Sequence, residues 1–174
     1  MQMTRRKFGA LGAASLFAPQ AFAQTAIGDF TLTSVSDGEL TLPAGMILDP
    51  LGADLRGELQ TEFGLGDVLT PPCNVTLLQA GDRNILFDVG SGPEFMASAG
   101  FLIDALDAQG LVPDDITDIV FTHAHPDHLW GLLDDFDDLL FYNAQYMIGQ
   151  DEWDYWTNPE TVDTIGDERT SNAI

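Results

Sequence analysis

The segment FTHAHPDHLWG at 121–131 holds every histidine of the chain, His123, His125 and His128, with Asp127 beside the last. It follows ITDIVF, a β-branched apolar run that reads as a buried strand. Residues two apart on an extended segment face the same side, so His123 and His125 share a face. A turn at Pro126 brings Asp127 and His128 back toward the same point. Imidazoles and a carboxylate are the donors Zn²⁺ favours, at about 2.0–2.2 Å. The carboxyl end of a strand is also where open α/β sheets place their ligand sites. Three separately satisfied polar side chains would not explain why no histidine lies elsewhere.

The remaining sequence alternates strand and helix patterns. DFTLTSVSDGELTL alternates on either side of Asp37-Gly38, which predicts a hairpin there. LRGELQTEFG predicts a short helix closed by Gly64, and NVTLLQAGDRNILF two strands joined at Ala80–Arg83. PEFMASAGFLIDALDAQG predicts a helix from Pro93 to Gly110 that buries Ala99, Leu102, Ile103 and Leu106. After a right-handed crossover to the strand before the histidines, LLFYNAQYMIG predicts another strand and QDEWDYWTNPE a helix. This order points to the α/β class, a sheet packed by helices.

The first residues read differently. Arg5, Arg6 and Lys7 precede a short uncharged stretch from Phe8 to Ala18, and Ala21-Phe22-Ala23 offers a small-x-small cleavage site. The stretch falls short of the roughly 20 residues that span a bilayer. Thr-Arg-Arg-Lys-Phe resembles the bacterial twin-arginine export signal, so residues 1–23 are expected to be a signal peptide. That resemblance implies the twin-arginine machinery as a partner and a periplasmic or secreted protein, exported folded. The chain carries 28 acidic against 6 basic residues, a formal charge of −22. Such a surface repels nucleic acid and anionic lipid, so neither nucleic acid nor stable membrane association is expected. Cys73, the single cysteine, has no partner for an intramolecular disulfide and reads as a small buried hydrophobe. Asp134, Asp135, Asp137 and Asp138 read as a solvated acidic loop. Trp130, Trp153, Tyr155 and Trp156 read as core packing, with the lining of a substrate cleft as the alternative.

H-x-H-x-D-H followed by Leu129-Trp130-Gly131-Leu132 resembles the metal-binding signature of the metallo-β-lactamase superfamily. NILFDVGSG resembles that superfamily's strand ending in an Asp-x-Gly turn, at Asp88 and Gly90. YNAQYMIGQDEWDYW resembles the segment after the motif in its lactonase-like and phosphotriesterase-like members. The resemblance runs from about residue 73 to 156. It implies that residues 24–174 are the N-terminal half of a four-layer αβ/βα sandwich with a dinuclear centre, usually zinc, with iron or manganese as alternatives. It further implies that His123 and His125 bind one metal, that Asp127 and His128 bind the second, and that Asp88 supports their loop from behind.

The chemistry so implied is that of an exported hydrolase. A metal-bound hydroxide, oriented by Asp127, attacks a small ester-like substrate, a lactone or phosphotriester ahead of a β-lactam. A di-iron oxygen-reducing member would usually carry a carboxylate where His125 stands. The family's remaining ligands, two further histidines and a bridging carboxylate, lie downstream, and no histidine follows His128. A truncated sequence is therefore expected, with a non-catalytic periplasmic metal-binding module or inactive fragment as the alternative.

Overall fold

Antiparallel pairing dominates the first half of the chain, parallel pairing the second. A computed structural model describes residues 23–165, so the expected signal peptide lies, but for Ala23, outside the described residues. In chain order the strands are β1 (Gln24–Ile27), β2 (Phe30–Glu39), β3 (Leu42–Pro43), β4 (Val68–Leu69), β5 (Pro72–Ala80), β6 (Arg83–Phe87), β7 (Asp118–Phe121) and β8 (Gln145–Ile148). The helices are α1 (Ala44–Leu48), α2 (Ala53–Phe63), α3 (Leu102–Asp107), α4 (Pro126–Leu129), α5 (Gln150–Thr157) and α6 (Pro159–Ile165). The main sheet runs β1-β2-β5-β6-β7-β8, and β3 and β4 form a separate two-stranded ribbon. β6, β7 and β8 are parallel, and α3 lies in the connection between β6 and β7.

Period-two alternation assigns each strand residue to a face. Val35, Val75, Leu77, Leu86, Ile119 and Phe121 pack with Leu102, Ala105 and Leu106 of α3 and with Leu129 and Phe141 into one buried cluster. The register pairs Leu86 with Ile119 and Phe121 with Ile148, which lines this face across the parallel strands. On the opposite face Leu78, Ile85, Phe87 and Val120 are half-buried and Met147 is exposed.

Several expectations hold. Gly64 closes α2 in the left-handed region, and Gly81-Asp82 turns β5 into β6. The strand before the histidines and the helix after β8 lie where they were expected.

Three expectations are corrected. Asp37-Gly38 is not a hairpin but a bulge within β2, which continues to pair with β5; the hairpin sits at Gly28-Asp29. The Asp37 carboxylate is fully buried and accepts from Ser91 N–H, Ser91 Oγ–H and Leu102 N–H at 2.8–2.9 Å, so the bulge re-aims a tether into the core. The helix expected from Pro93 shrinks to Leu102–Asp107, with turns over 93–98. Gly100 explains this: at φ 87° it presses on the Gly92 backbone, where a Cβ would lie 2.4 Å from the Gly92 carbonyl oxygen. Ile103 is consequently 37% exposed, and Ala105 takes its place in the core. Lastly, the strand expected over LLFYNAQYMIG is confined to Gln145–Ile148, because Phe141 turns inward and is fully buried.

Candidate metal centre

The parallel strands end where the histidines begin. Phe121 is the last paired residue of β7, and the chain then leaves the ladder as an unpaired loop that runs into α4. Pro126 opens the single turn of α4, where its fixed φ and missing N–H are tolerated. That turn carries Asp127 and His128 back over His123. The His123 ring lies 4.5 Å from that of His125 and 4.0 Å from that of His128, centroid to centroid.

The donors form two pairs. His123 Nε2 lies 3.1 Å from His125 Nδ1, and His128 Nε2 lies 3.4 Å from Asp127 Oδ2. Two donors on one tetrahedral zinc, each at about 2.0–2.2 Å, stand about 3.3–3.5 Å apart. Both observed separations lie within a few tenths of an ångström of that edge, so the residues fit the ion in type and spacing. Each pair supplies two donors, and among the described residues no three His, Cys, Asp or Glu side chains form a group able to hold an ion.

Behind the pairs, Asp88 sets which nitrogen of His128 and of His123 is free. It sits at φ 69°, a left-handed conformation that Asp tolerates better than most residues, and is 7% exposed. Its carboxylate accepts from Thr122 N–H at 2.7 Å, from Thr122 Oγ–H at 2.8 Å and from His128 Nδ1–H at 2.8 Å. His128 Nε2 is thereby left facing Asp127. The Thr122 hydroxyl, having spent its hydrogen on Asp88, accepts from His123 Nδ1 at 3.0 Å and leaves His123 Nε2 facing His125. Thus one carboxylate orients two rings.

The turn holding Asp88 is fastened to α4. Val89 N–H donates to the His128 carbonyl, and Gly131 N–H to the Gly90 carbonyl. Gly131 is obligatory here, since a Cβ would lie 2.1 Å from the Val89 carbonyl oxygen.

Electrostatics follow the same division. Burial, aided by the neighbouring His128 and His125, holds His123 below the usual imidazole range and so favours its neutral, ligating form. The Asp127 carboxylate, followed by Asp88, pushes His128 up to about 9, and His128 in turn lowers Asp127. In the bare protein an imidazolium thus supplies positive charge between two carboxylates. Burial, then Asp37 and Asp127, raises the Cys73 thiol to about 11, so at neutral pH it is protonated and no nucleophile.

A cavity of about 810 Å³ opens beside the histidine loop. Phe121, Leu129, Tyr146, Ile148, Trp153 and Trp156 line it. Trp153 is 56% and Tyr155 48% exposed, so the core-packing reading fails for both, whereas Trp153 and Trp156 line this cleft. Trp130 is half-buried, edge-on to Phe95. The acidic loop caps itself: Asp134 Oδ1 accepts from Phe136 and Asp138 N–H.

Residues 69–134 match the model of the Metallo-beta-lactamase superfamily. The described structure superimposes on AidC, a dizinc quorum-quenching lactonase in complex with a homoserine product, with a TM-score of 0.74 and 30% identity over 86% of this chain. It also matches the hydrolase AbOPH of the β-lactamase superfamily, with a TM-score of 0.76 and 25% identity over 87% of this chain. The fold is that of the metallo-β-lactamase superfamily. Metallo-beta-lactamase domain-containing protein 1 of Xenopus laevis is 34% identical over 88 residues, 51% of this chain and 33% of that protein. The chain spans about half the length of the two metallo-β-lactamase-fold structures, 52% of each.

Sequence reasoning missed Thr122 and Glu152. Thr122 adjoins the motif, but its hydroxyl relay depends on Asp88, in the turn after β6. Glu152 Oε1 accepts from the Ala124 N–H between the two histidines, a contact that also holds its carboxyl below the usual range. Nothing in the sequence distinguishes it among 28 acidic residues.

Proposed function

We propose that this chain is the metal-binding half of an exported metallo-hydrolase acting on a neutral, ester-like substrate, a lactone or a phosphotriester. The observation that carries the reading is the pairing of donors at 3.1 and 3.4 Å at the carboxyl end of the parallel strands. His123 and His125 would hold one ion, Asp127 and His128 the other. Zinc held there would supply Lewis acidity and make water a nucleophile near neutral pH. The protein's own part is orientation: Asp88 and Thr122 keep the free ring nitrogens of His128 and His123 turned toward their paired donors.

Substrate class follows from the surroundings. The cleft walls are mostly apolar, and the formal charge of −22 opposes anionic substrates. Two of the matched structures point the same way, one a dizinc lactonase and the other a hydrolase of the β-lactamase superfamily. Each pair supplies two donors, against the three protein ligands that a catalytic zinc usually takes. Export through the twin-arginine route rests on Arg5 and Arg6, outside the described residues.

A panel assay tests this reading. Zinc-loaded full protein should hydrolyse lactones and phosphotriesters faster than β-lactams or phosphate monoesters, and His123→Ala should abolish that turnover. Metal uptake with no turnover on any ester would favour the binding-module reading, which the two-donor spheres also accommodate.

A further inference from the structure

The helix after β8 hydrogen-bonds to the histidine loop through one oxygen atom. Glu152 Oε1 accepts from the backbone N–H of Ala124 at 2.8 Å and from the indole Nε1–H of Trp156 at 2.8 Å. Ala124 stands between His123 and His125 and is 6% exposed. The β7 ladder has already ended at Phe121, so the carboxylate satisfies an amide that strand pairing does not reach. Two donors on one oxygen fix where that oxygen sits. Trp156, held by the same oxygen, stands edge-on to His125 with ring centroids 6.3 Å apart. Glu152 makes no hydrogen bond to any of the four donors, so its influence runs through the backbone that carries two of them.

We infer that Glu152 is a positioning residue whose Oε1 fixes the separation of His123 and His125 for the ion they share. The role rests on the metal-centre reading above, and it belongs to the hydrogen bonds rather than to the charge. That distinction makes it testable with near-isosteric variants. Glu152→Gln keeps an oxygen at the same reach and loses the charge. Glu152→Asp keeps the charge and withdraws the oxygen by one methylene.

The experiment is a cobalt(II) titration of the full protein, read by visible absorption and dissociation constant, with near-UV circular dichroism to confirm folding. Glu152→Asp and Glu152→Ala should weaken binding about 10–100-fold and alter the cobalt spectrum, whereas Glu152→Gln should stay within about threefold of the parent and keep its spectrum. If Glu152→Ala does not fold, the contrast between Asp and Gln decides. Parent-like affinity and spectrum in the Asp variant would overturn the inference, as would a Gln variant as impaired as Ala. A parent protein that takes up no cobalt would remove the metal reading itself, a separate failure visible before any variant is made.

Discussion

Replacing Asp88 by Asn should unsettle both metal positions without straining the backbone. The left-handed φ of 69° suits Asn about as well as Asp, so the change isolates the hydrogen bonds. Asn Oδ1 can still accept from Thr122 N–H, now at 2.7 Å. The amide nitrogen replaces Oδ2 and turns an acceptor into a donor facing His128 Nδ1 and the Thr122 hydroxyl, both now at 2.8 Å. His128 must then accept at Nδ1 and carry its proton on Nε2, the atom aimed at Asp127. The Thr122 hydroxyl, released from donating to Asp88, can donate to His123 Nδ1 and turn that ring in the same sense. Loss of such an orienting partner typically costs about 10–100-fold in metal affinity, or about 1.4–2.7 kcal/mol. The metal-free fold loses a charge-assisted hydrogen bond at a buried carboxylate, about 1–3 kcal/mol. Urea denaturation with calorimetric zinc titration reads both quantities. A variant that matches the parent in both midpoint and zinc affinity would refute the orienting role of Asp88.

Gly131→Ala should destabilise the fold by upwards of about 1–3 kcal/mol, since its Cβ would meet a carbonyl oxygen at 2.1 Å on a backbone that cannot yield; an unchanged melting temperature would contradict this packing. Asp118, 3% exposed, accepts from Arg83 and Thr117, and the Arg83 hydrogen bond above all holds its carboxyl below the usual range. Its depressed folded pKa means the contribution is present above the unfolded value of about 3.9 and lost as pH falls through the folded one. Acid unfolding of Asp118→Asn should therefore show a shallower pH dependence below about pH 4 than the parent, checked by circular dichroism. Changing Arg5 and Arg6 together to Lys should leave the protein in the cytoplasm on fractionation, whereas normal export would reject the twin-arginine route.

What the sequence revealed was local. His123, His125, Asp127 and His128 lie within six positions, so strand alternation and one proline sufficed to bring them together. The Gly81-Asp82 turn and the Gly64 cap were legible for the same reason. Asp37-Gly38 carries an ordinary hairpin signal, but pairing with β5 and a bridge from Gly38 to Ala99 make it a bulge. The false first half of the helix from Pro93 failed likewise, because Gly100 answers to the distant backbone of Gly92. Glu152 reaches Ala124 across 28 residues, and the Asp88 network joins the segments that follow β6 and β7. Such contacts belong to the tertiary fold and leave no periodic mark.

The paired-donor arrangement is tested most directly by metal content measured one ligand at a time. The account predicts that the full protein holds about two zinc ions, the usual dinuclear complement. His123→Ala or His125→Ala should empty the first position, and Asp127→Ala or His128→Ala chiefly the second, each variant retaining close to one ion by elemental analysis. Unchanged metal in all four variants would contradict the account at its centre.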